Sequence, residues 1–344
     1  MDRRRLGSTE LDVSEIGLGC QSLGGGLYYR NDREAIRLLH RAAEAGVNFF
    51  DTADHYSLGL SESLIGRAFL GRRNSIILST KVGTTYSPAA TMALRARPLL
   101  RPLGRTLRRL KLRFHHIRAA QRRHDLSPRH LERAADDCLR RLRTDHLDLF
   151  MLHKPPIAEL ELGDCITALT KLQSKGKIRY YGVSCDGIED ARISLRIPGI
   201  SAIQITVSLL DQAAIPEILP LALRINCGVI ARNPRGQGHL TSEFSDIMAE
   251  TYVEDAAEAG LRQEAARHFG FLANEKRTLG QAAIKFVQKF NAISVVVPRA
   301  VNVAQLDDIL GTLAAPPLTD GEIDLIATAT GLTRPMLKRH AYRH

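Results

Sequence analysis

Eight short apolar runs, rich in β-branched residues, recur along the chain with helical patterns between them. This alternation limits the fold more than any other feature of the sequence. The runs span 15–20, 47–53, 75–82, 146–153, 179–185, 201–207, 225–232 and 293–298. Most are continuous rather than alternating, which suits strands buried on both faces of a parallel sheet. Helices are expected at 33–45, 61–70, 128–143, 164–175 and 276–290. Ser127-Pro128 supplies an N-cap followed by proline at the first helical position, and Gly46 and Gly176 stand where a left-handed C-cap is wanted. Strands alternating with helices argue for α/β architecture with a parallel sheet. Eight is the number that closes a (β/α)8 TIM barrel of roughly 250 residues, or more with insertions. A doubly wound sheet is the runner-up, but it prefers a G-x-G-x-x-G turn after its first strand. Gly17, Gly19, Gly24, Gly25 and Gly26 do not have that spacing. With no repeat and no Pro/Ser-rich linker, residues 1–344 read as one barrel domain. The turn-like LGSTEL segment within residues 1–14 suggests an N-terminal hairpin ahead of it.

Charge adds a second constraint. The chain holds 48 Lys+Arg against 37 Asp+Glu, a net +11. Segment 91–124, directly after the third strand, contains eleven of the basic residues and no acid, which leaves the other 310 residues balanced at 37 of each sign. The tail 331–344 adds Arg334, Lys338, Arg339 and Arg343 without an acid. A nucleic-acid-binding domain spreads its basic excess over a folded face, whereas here one insert and one tail carry it. Past Pro98 and Pro102, Leu103, Leu107, Leu110, Phe114 and Ile117 fall on one face of a helix with arginines on the others, so 91–124 reads as a basic helical insert. No run of 18 or more apolar residues exists, so no transmembrane helix is expected. The basic N-terminus has no apolar stretch behind it, so no secretory signal is expected either. The five cysteines are odd in number, widely spaced and without C-x-x-C. They point to no disulfide framework and no metal site, and make a reducing, cytoplasmic setting the default.

In such a barrel the chemistry sits at the C-terminal ends of the strands. Strand two ends in Asp51 with Tyr56 just beyond, strand three in Lys81 and strand four in His153. Strand five ends in Ser184-Cys185, strand six carries Gln204, strand seven runs into Arg232-Asn233-Pro234-Arg235, and strand eight into Pro298-Arg299. Any one of these has a plain explanation: Asp51 before Thr52 caps a helix, or His153 before Lys154-Pro155-Pro156 ends a strand. Together on one rim they suggest proton transfer. A tyrosine hydroxyl, with pKa near 10, is a weak acid. A lysine cation beside it favours the phenolate and lowers that pKa. An aspartate keeps the lysine charged, and a histidine hydrogen-bonds the same substrate oxygen. Such a set donates a proton to a carbonyl oxygen as hydride reaches carbon.

These residues lie in blocks that resemble a known family. The run GVNFFDTADHYSLGLSESLIGRAF (46–69) resembles the aldo-keto reductase signature, G-x-x-x-x-D-T-A-x-x-Y followed by S-E-x-x-x-G. STKVG (79–83), LRRLRTDHLDLFMLHKP (139–155) and IRYYGVS (178–184) resemble its next blocks, and the likeness runs from about Arg5 to Leu310 apart from the insert. It implies a barrel that binds a nicotinamide dinucleotide, NADPH first and NADH as the alternative, without a Rossmann fold. By position it implies that Tyr56 is the general acid/base, Lys81 its partner, Asp51 the group that orients Lys81, and His153 the group that positions the carbonyl. It places Ser184 and Gln204 on the nicotinamide carboxamide, Arg299 near the adenosine 2′-phosphate, and Gln305 and Asp308 at further adenosine contacts. Cys185 stands where the family usually has Asn, which puts a thiol beside the nicotinamide or leaves a cysteine that only packs. Arg232, Asn233, Arg235 and Gly238 belong to a block that often reads aromatic-Ser-Pro-Leu. The two arginines there bind pyrophosphate or salt-bridge locally. Ala300 and Ile309 replace a hydroxyl and an Asn, which loosens the preference for NADPH over NADH.

The function implied is reduction of an aldehyde or ketone, or the reverse oxidation. The alternative is a dinucleotide-binding sensor or scaffold whose insert docks an acidic partner or a membrane. Three readings of the insert compete: a solvated helix packed on the barrel, a lid steering an anionic substrate, and a helix touching anionic lipid at the membrane surface. Nucleic acid ranks last, because base-reading motifs and aromatic platforms are missing. No sequence feature sets an oligomeric state. On the steering reading, deletion of 95–122 raises KM and flattens its dependence on salt. A KM and salt dependence both unchanged would remove that reading.

Overall fold

The computed structural model describes residues 1–23, 32–87, 92, 122–241 and 256–330. Strands β1 (Arg3–Arg5) and β2 (Asp12–Ser14) form the antiparallel hairpin expected at the N-terminus. Then come β3 (Leu18–Gly19), β4 (Phe49–Asp51) and β5 (Ile77–Val82). A short antiparallel pair follows, β6 (Thr84–Tyr86) with β7 (Arg122–His124). The chain continues with β8 (Leu147–His153), β9 (Ile178–Ser184), β10 (Ile200–Thr206), β11 (Gly228–Arg232) and β12 (Ile293–Val297). Each of the eight apolar runs holds one strand of a single parallel sheet, ordered β3-β4-β5-β8-β9-β10-β11-β12. The sheet closes on itself. Gly17 N donates to Val296 O at 2.8 Å, Gly19 N to Pro298 O at 2.9 Å, and Val296 N to Glu15 O at 3.0 Å. An open doubly wound sheet has no such seam, so the fold is the (β/α)8 barrel.

The helices Asp32–Glu44, Leu60–Ala68, Pro128–Leu142, Asp164–Ser174 and Leu279–Gln288 lie where the sequence pattern puts them. Ser127 Oγ accepts from His130 N and caps the third of these. Gly46 and Gly176 take the left-handed conformation at helix ends, with φ of 96° and 73°. Among the described residues no helix is long and apolar enough to cross a membrane.

Side chains along each strand alternate between the barrel interior and the helix layer. Phe49, Leu149, Met151, Ala202, Ile230, Val295 and Val297 fill the interior, and Leu6, Leu11 and Val13 of the hairpin pack with them. The hairpin therefore plugs the N-terminal mouth, where Arg4 also donates to Ile293 O and Gln288 O at 2.9 Å each. The intervening residues Phe50, Leu78, Phe150, Val183, Ile203, Val229 and Val296 meet the helices. With the lower mouth sealed, the open end lies at the strand C-termini, and the same parity turns Asp51, Lys81, His153, Ser184 and Gln204 inward there.

The β6–β7 pair corrects one expectation. Arg122–His124 form a strand against Thr84–Tyr86 rather than the end of a helix. Gly83, at φ 100°, turns the chain out of β5 and into this pair. The amphipathic helix expected from Leu103 to Ile117 and the basic tail 331–344 lie outside the described residues.

Strand β9 approaches β10 closely at Gly182, where an added Cβ would lie 2.3 Å from Ala202 O. Backbone cannot yield as a flexible side chain can. Gly182→Ala should lower stability by about 1–3 kcal/mol, read as a lower urea midpoint at unchanged m-value. An unchanged midpoint would mean that the two strands are not held at this spacing.

Candidate active site

Lys81 is the most deeply buried of the charged residues on the rim, at 1% exposure. Its Nζ donates to Asp51 Oδ2 at 2.7 Å and to Thr52 O at 2.8 Å, while Ser79 Oγ donates to Asp51 Oδ1 at 3.0 Å. Burial pulls the lysine pKa down, but the Asp51 carboxylate, its hydrogen bond to the ammonium and the Tyr56 hydroxyl together outweigh it and hold Lys81 above its ordinary value. The ammonium lies 5.3 Å from the centroid of the Tyr56 ring. Tyr56 opens the short turn Tyr56–Gly59 after β4, and Ser57 and Leu58 behind it are left-handed at φ 50° and 56°, a costly conformation for a leucine.

The Tyr56 hydroxyl is pushed up from its usual pKa by burial, against the pull of Lys81. The cation acts in the direction predicted, but a phenolate in this closed setting loses more hydration than Lys81 returns. Tyr56 therefore rests as the neutral phenol, the form that can give up a proton.

His153, 5% exposed, ends β8 with its ring 6.1 Å from that of Tyr56. The ring of His55 lies 4.6 Å from His153 and 4.9 Å from Tyr56. Asp54 Oδ1 is 3.4 Å from His55 Nδ1. Burial raises the Asp54 carboxyl to about 7, despite the opposing charges of Arg141 and His130.

Asp51, Tyr56 and His153 open into a cleft of about 540 Å³ at the C-terminal face of the barrel. Gln204, Arg232, Asn233, Arg235, Gly238, Arg299, Gln305 and Asp308 line the same cleft. Ser184 lies just beneath it, donating its Oγ proton to Gln204 Oε1 at 3.0 Å. That bond leaves Gln204 Nε2 buried without a protein partner, although Gln204 is only 2% exposed. Arg232 Nε donates to Thr206 Oγ1 at 3.0 Å and its Nη2 is 3.8 Å from Asp186 Oδ1. Arg235 donates to Arg299 O at 2.8 Å and to Asp308 Oδ2 at 3.4 Å. Thr278 Oγ1 donates to Asp308 Oδ1 at 3.0 Å, and Gln305 Oε1 accepts from Val301 N at 3.1 Å. The two arginines after strand seven thus make local bonds and still face the cleft.

Cys185 corrects the expectation of a thiol in the cleft. It follows the inward Ser184, so strand parity turns it outward into the helix-facing core, where its Sγ lies 3.8 Å from Ser194 Oγ. Burial pushes the thiol up to about 12. Sequence reasoning also passed over Lys154, Asp186 and Thr278, which line the cleft, and His55 behind it. Lys154 and Asp186 stand within two residues of His153 and Ser184, and that position was the available signal.

A buried array on the helix side serves the scaffold instead. Glu62, fully buried, accepts from Thr80 Oγ1 at 2.6 Å and from Arg141 Nε at 2.5 Å. Burial still holds its carboxyl above the ordinary range, with Arg141 opposing.

The profile of the aldo/keto reductase family matches residues 15–330. The chain belongs to the aldo/keto reductase family. It is accordingly an NAD(P)H-dependent oxidoreductase of the group that reduces carbonyls. It is 28% identical to the uncharacterized oxidoreductase YqkF of Bacillus subtilis, over 96% of this chain and 97% of that one. It is 27% identical to the NADH-specific methylglyoxal reductase of Escherichia coli, over 75% and 74% of the two chains. Among solved structures it is similar to the holo form of an aldo-keto reductase from Bacillus halodurans, with a TM-score of 0.76, 28% identity and 97% of each chain covered.

Asp54 yields a pH signature for this reductase. A carboxyl raised to about 7 keeps its proton in the folded state, while the unfolded chain loses it near pH 4. Between about pH 4 and 7 the folded state binds more protons, so this group makes stability fall as pH rises. Asp54→Asn should therefore gain stability relative to the parent progressively across that window, measured by urea unfolding at a series of pH values. A constant difference would show that Asp54 is ionised in the fold throughout.

Proposed function

We propose that this chain reduces a small aldehyde or ketone to the alcohol with NADPH, and runs the reverse oxidation on an alcohol or sugar hemiacetal. The observation that carries this reading is the shared cleft: Tyr56 and His153 open into the space lined by Gln204 and three arginines, with Lys81 and Asp51 paired beneath. The residues present fit a dinucleotide. Gln204 Nε2, buried and without a protein partner, suits a carboxamide oxygen. Arg232 and Arg235 suit the pyrophosphate, and Arg299 a 2′-phosphate. That last residue favours NADPH. NADH is kept as the alternative, since the Escherichia coli relative is named NADH-specific.

When bound, the dinucleotide supplies the hydride. The chain supplies the rest. His153 donates a hydrogen bond to the substrate oxygen and orients the carbonyl. Tyr56 gives its phenolic proton to that oxygen as negative charge builds there. Lys81, kept cationic by Asp51, then stabilises the phenolate through the short gap to the Tyr56 ring. In the oxidative direction the same groups take the proton back.

Tyr56→Phe tests the reading. Turnover of an aldehyde panel that includes methylglyoxal should fall by about 10²–10⁴-fold. NADPH affinity, followed by the fluorescence of the nucleotide itself, should stay within a few-fold. Undiminished turnover in that variant would refute the role of Tyr56.

A further inference from the structure

We propose that His55 is a positioning residue for the carbonyl-reducing centre: packed against both Tyr56 and His153 on a segment tied to β5 through the Asp54 backbone, it holds the two in one relative arrangement. The inference rests on the proton-donor role proposed for Tyr56. His55 is 6% exposed and is not among the described residues that line the cleft, so it acts through its neighbours rather than on substrate. The Tyr56 and His153 rings are 6.1 Å apart and nearly perpendicular at 83°. His55 is closer to each: 4.6 Å from His153 at 45°, and 4.9 Å from Tyr56 at 71°. A third contact comes from Tyr86 of β6, 6.2 Å away at 64°. The ring thus has aromatic neighbours from three separate segments.

The backbone explains why such a wedge is needed. Tyr56 does not sit on a strand. It stands four residues past Thr52, at the head of a turn whose next two residues are left-handed. Local ladder bonds cannot define the direction of its side chain. The segment is tied at Asp54, whose N donates to Lys81 O at 3.0 Å, and Tyr56 N donates to Ala53 O at 3.1 Å. From that fixed point the chain carries His55 into the gap between Tyr56, His153 and Tyr86, and the three surrounding rings set its plane. The imidazole meets His153 at a tilt and Tyr56 nearly at a right angle. One residue thereby ties the turn after β4 to the end of β8, joining two groups that must meet the same substrate oxygen. Proton donation depends steeply on such geometry, a misplacement of about 1 Å costing on the order of 10²-fold.

The test compares His55→Ala and His55→Phe with the parent holoenzyme. We measure kcat, KM, NADPH affinity, and the ring signal of His153 in imidazole-labelled protein by NMR. In His55→Ala, kcat should fall by about 10- to 100-fold while NADPH affinity stays within about twofold, and the His153 signal should broaden or split. In His55→Phe, which keeps a ring in place, most of the kcat loss should be recovered and the His153 signal should return to one narrow line. If His55→Ala does not fold, His55→Leu replaces it with the same expectations. A kcat within twofold of the parent in the alanine or leucine variant overturns the proposal, as does an equal kcat loss in the phenylalanine variant. If the parent itself turns over no carbonyl, the proposed function fails instead. The NMR comparison then decides His55 alone, and an identical His153 signal in all variants overturns its positioning role.

Discussion

An ammonium group at 1% exposure inside a protein has to be neutralised where it stands, and most of the site's geometry follows from how Lys81 is accommodated. An unpaired buried charge costs several kcal/mol, and pairing repays that only when the geometry is good. Asp51 and the carbonyl of Thr52 supply the geometry from the neighbouring strand. They do so only in the observed register, with Asp51 opposite Ser79. The same register is continued past the strand end by Thr52 N to Ser79 O and Asp54 N to Lys81 O. The stretch that leaves β4 is therefore stitched to β5 for several residues before it turns. Where Tyr56 emerges, and how near the ammonium it lies, is a consequence of that stitching.

Much of this was legible in the residues. The eight apolar runs located the strands because strands covered on both faces have no polar side to interrupt them. The polar residues that close those runs, Asp51, Lys81, His153 and Gln204, were found because apolar patterning fails where a side chain must face the cleft. Parity along β9 also contained the answer for Cys185: with Ser184 facing inward, its neighbour must face the helices. Three things were not legible. Arg122-Arg123-His124 has no apolar or β-branched signal, and becomes a strand only because Gly83 turns Thr84–Tyr86 alongside it. The direction of the Tyr56 shift depends on how much hydration the phenol loses, which no local pattern records. The place of His55 depends on β8 and β6 reaching it from distant parts of the chain.

The signature that identifies the family divides between scaffold and chemistry. Asp51 and Tyr56 belong to the cleft, whereas the S-E-x-x-x-G half that follows serves packing. Glu62 reaches across to Thr80 on β5 and to Arg141 on the helix Pro128–Leu142. Gly66 lets the helix Leu60–Ala68 close on the end of that same helix, since a Cβ there would lie 2.6 Å from Arg141 O. Ser61 Oγ donates to Cys20 O at 2.9 Å and shares a 2.8 Å bond with Thr52 Oγ1. The two halves travel together in sequence because the second braces the strand ends that present the first.

The seam between the first and last barrel strands has a consequence for how the molecule comes into being on the ribosome. The amides of Gly17 and Gly19 find their acceptors in Val296 and Pro298, about 280 residues later. Until that last strand has been synthesised, the edge of β3 and the inner face of the sheet have nothing to close against. Arg299, which lines the cleft, bridges to Gly19 and so arrives with the seam itself. Long-range closure of this kind slows folding and leaves strand edges exposed while it is awaited. The nascent chain must therefore be kept from pairing with other chains until that strand has emerged, and the rim of its cleft becomes complete only once the barrel is.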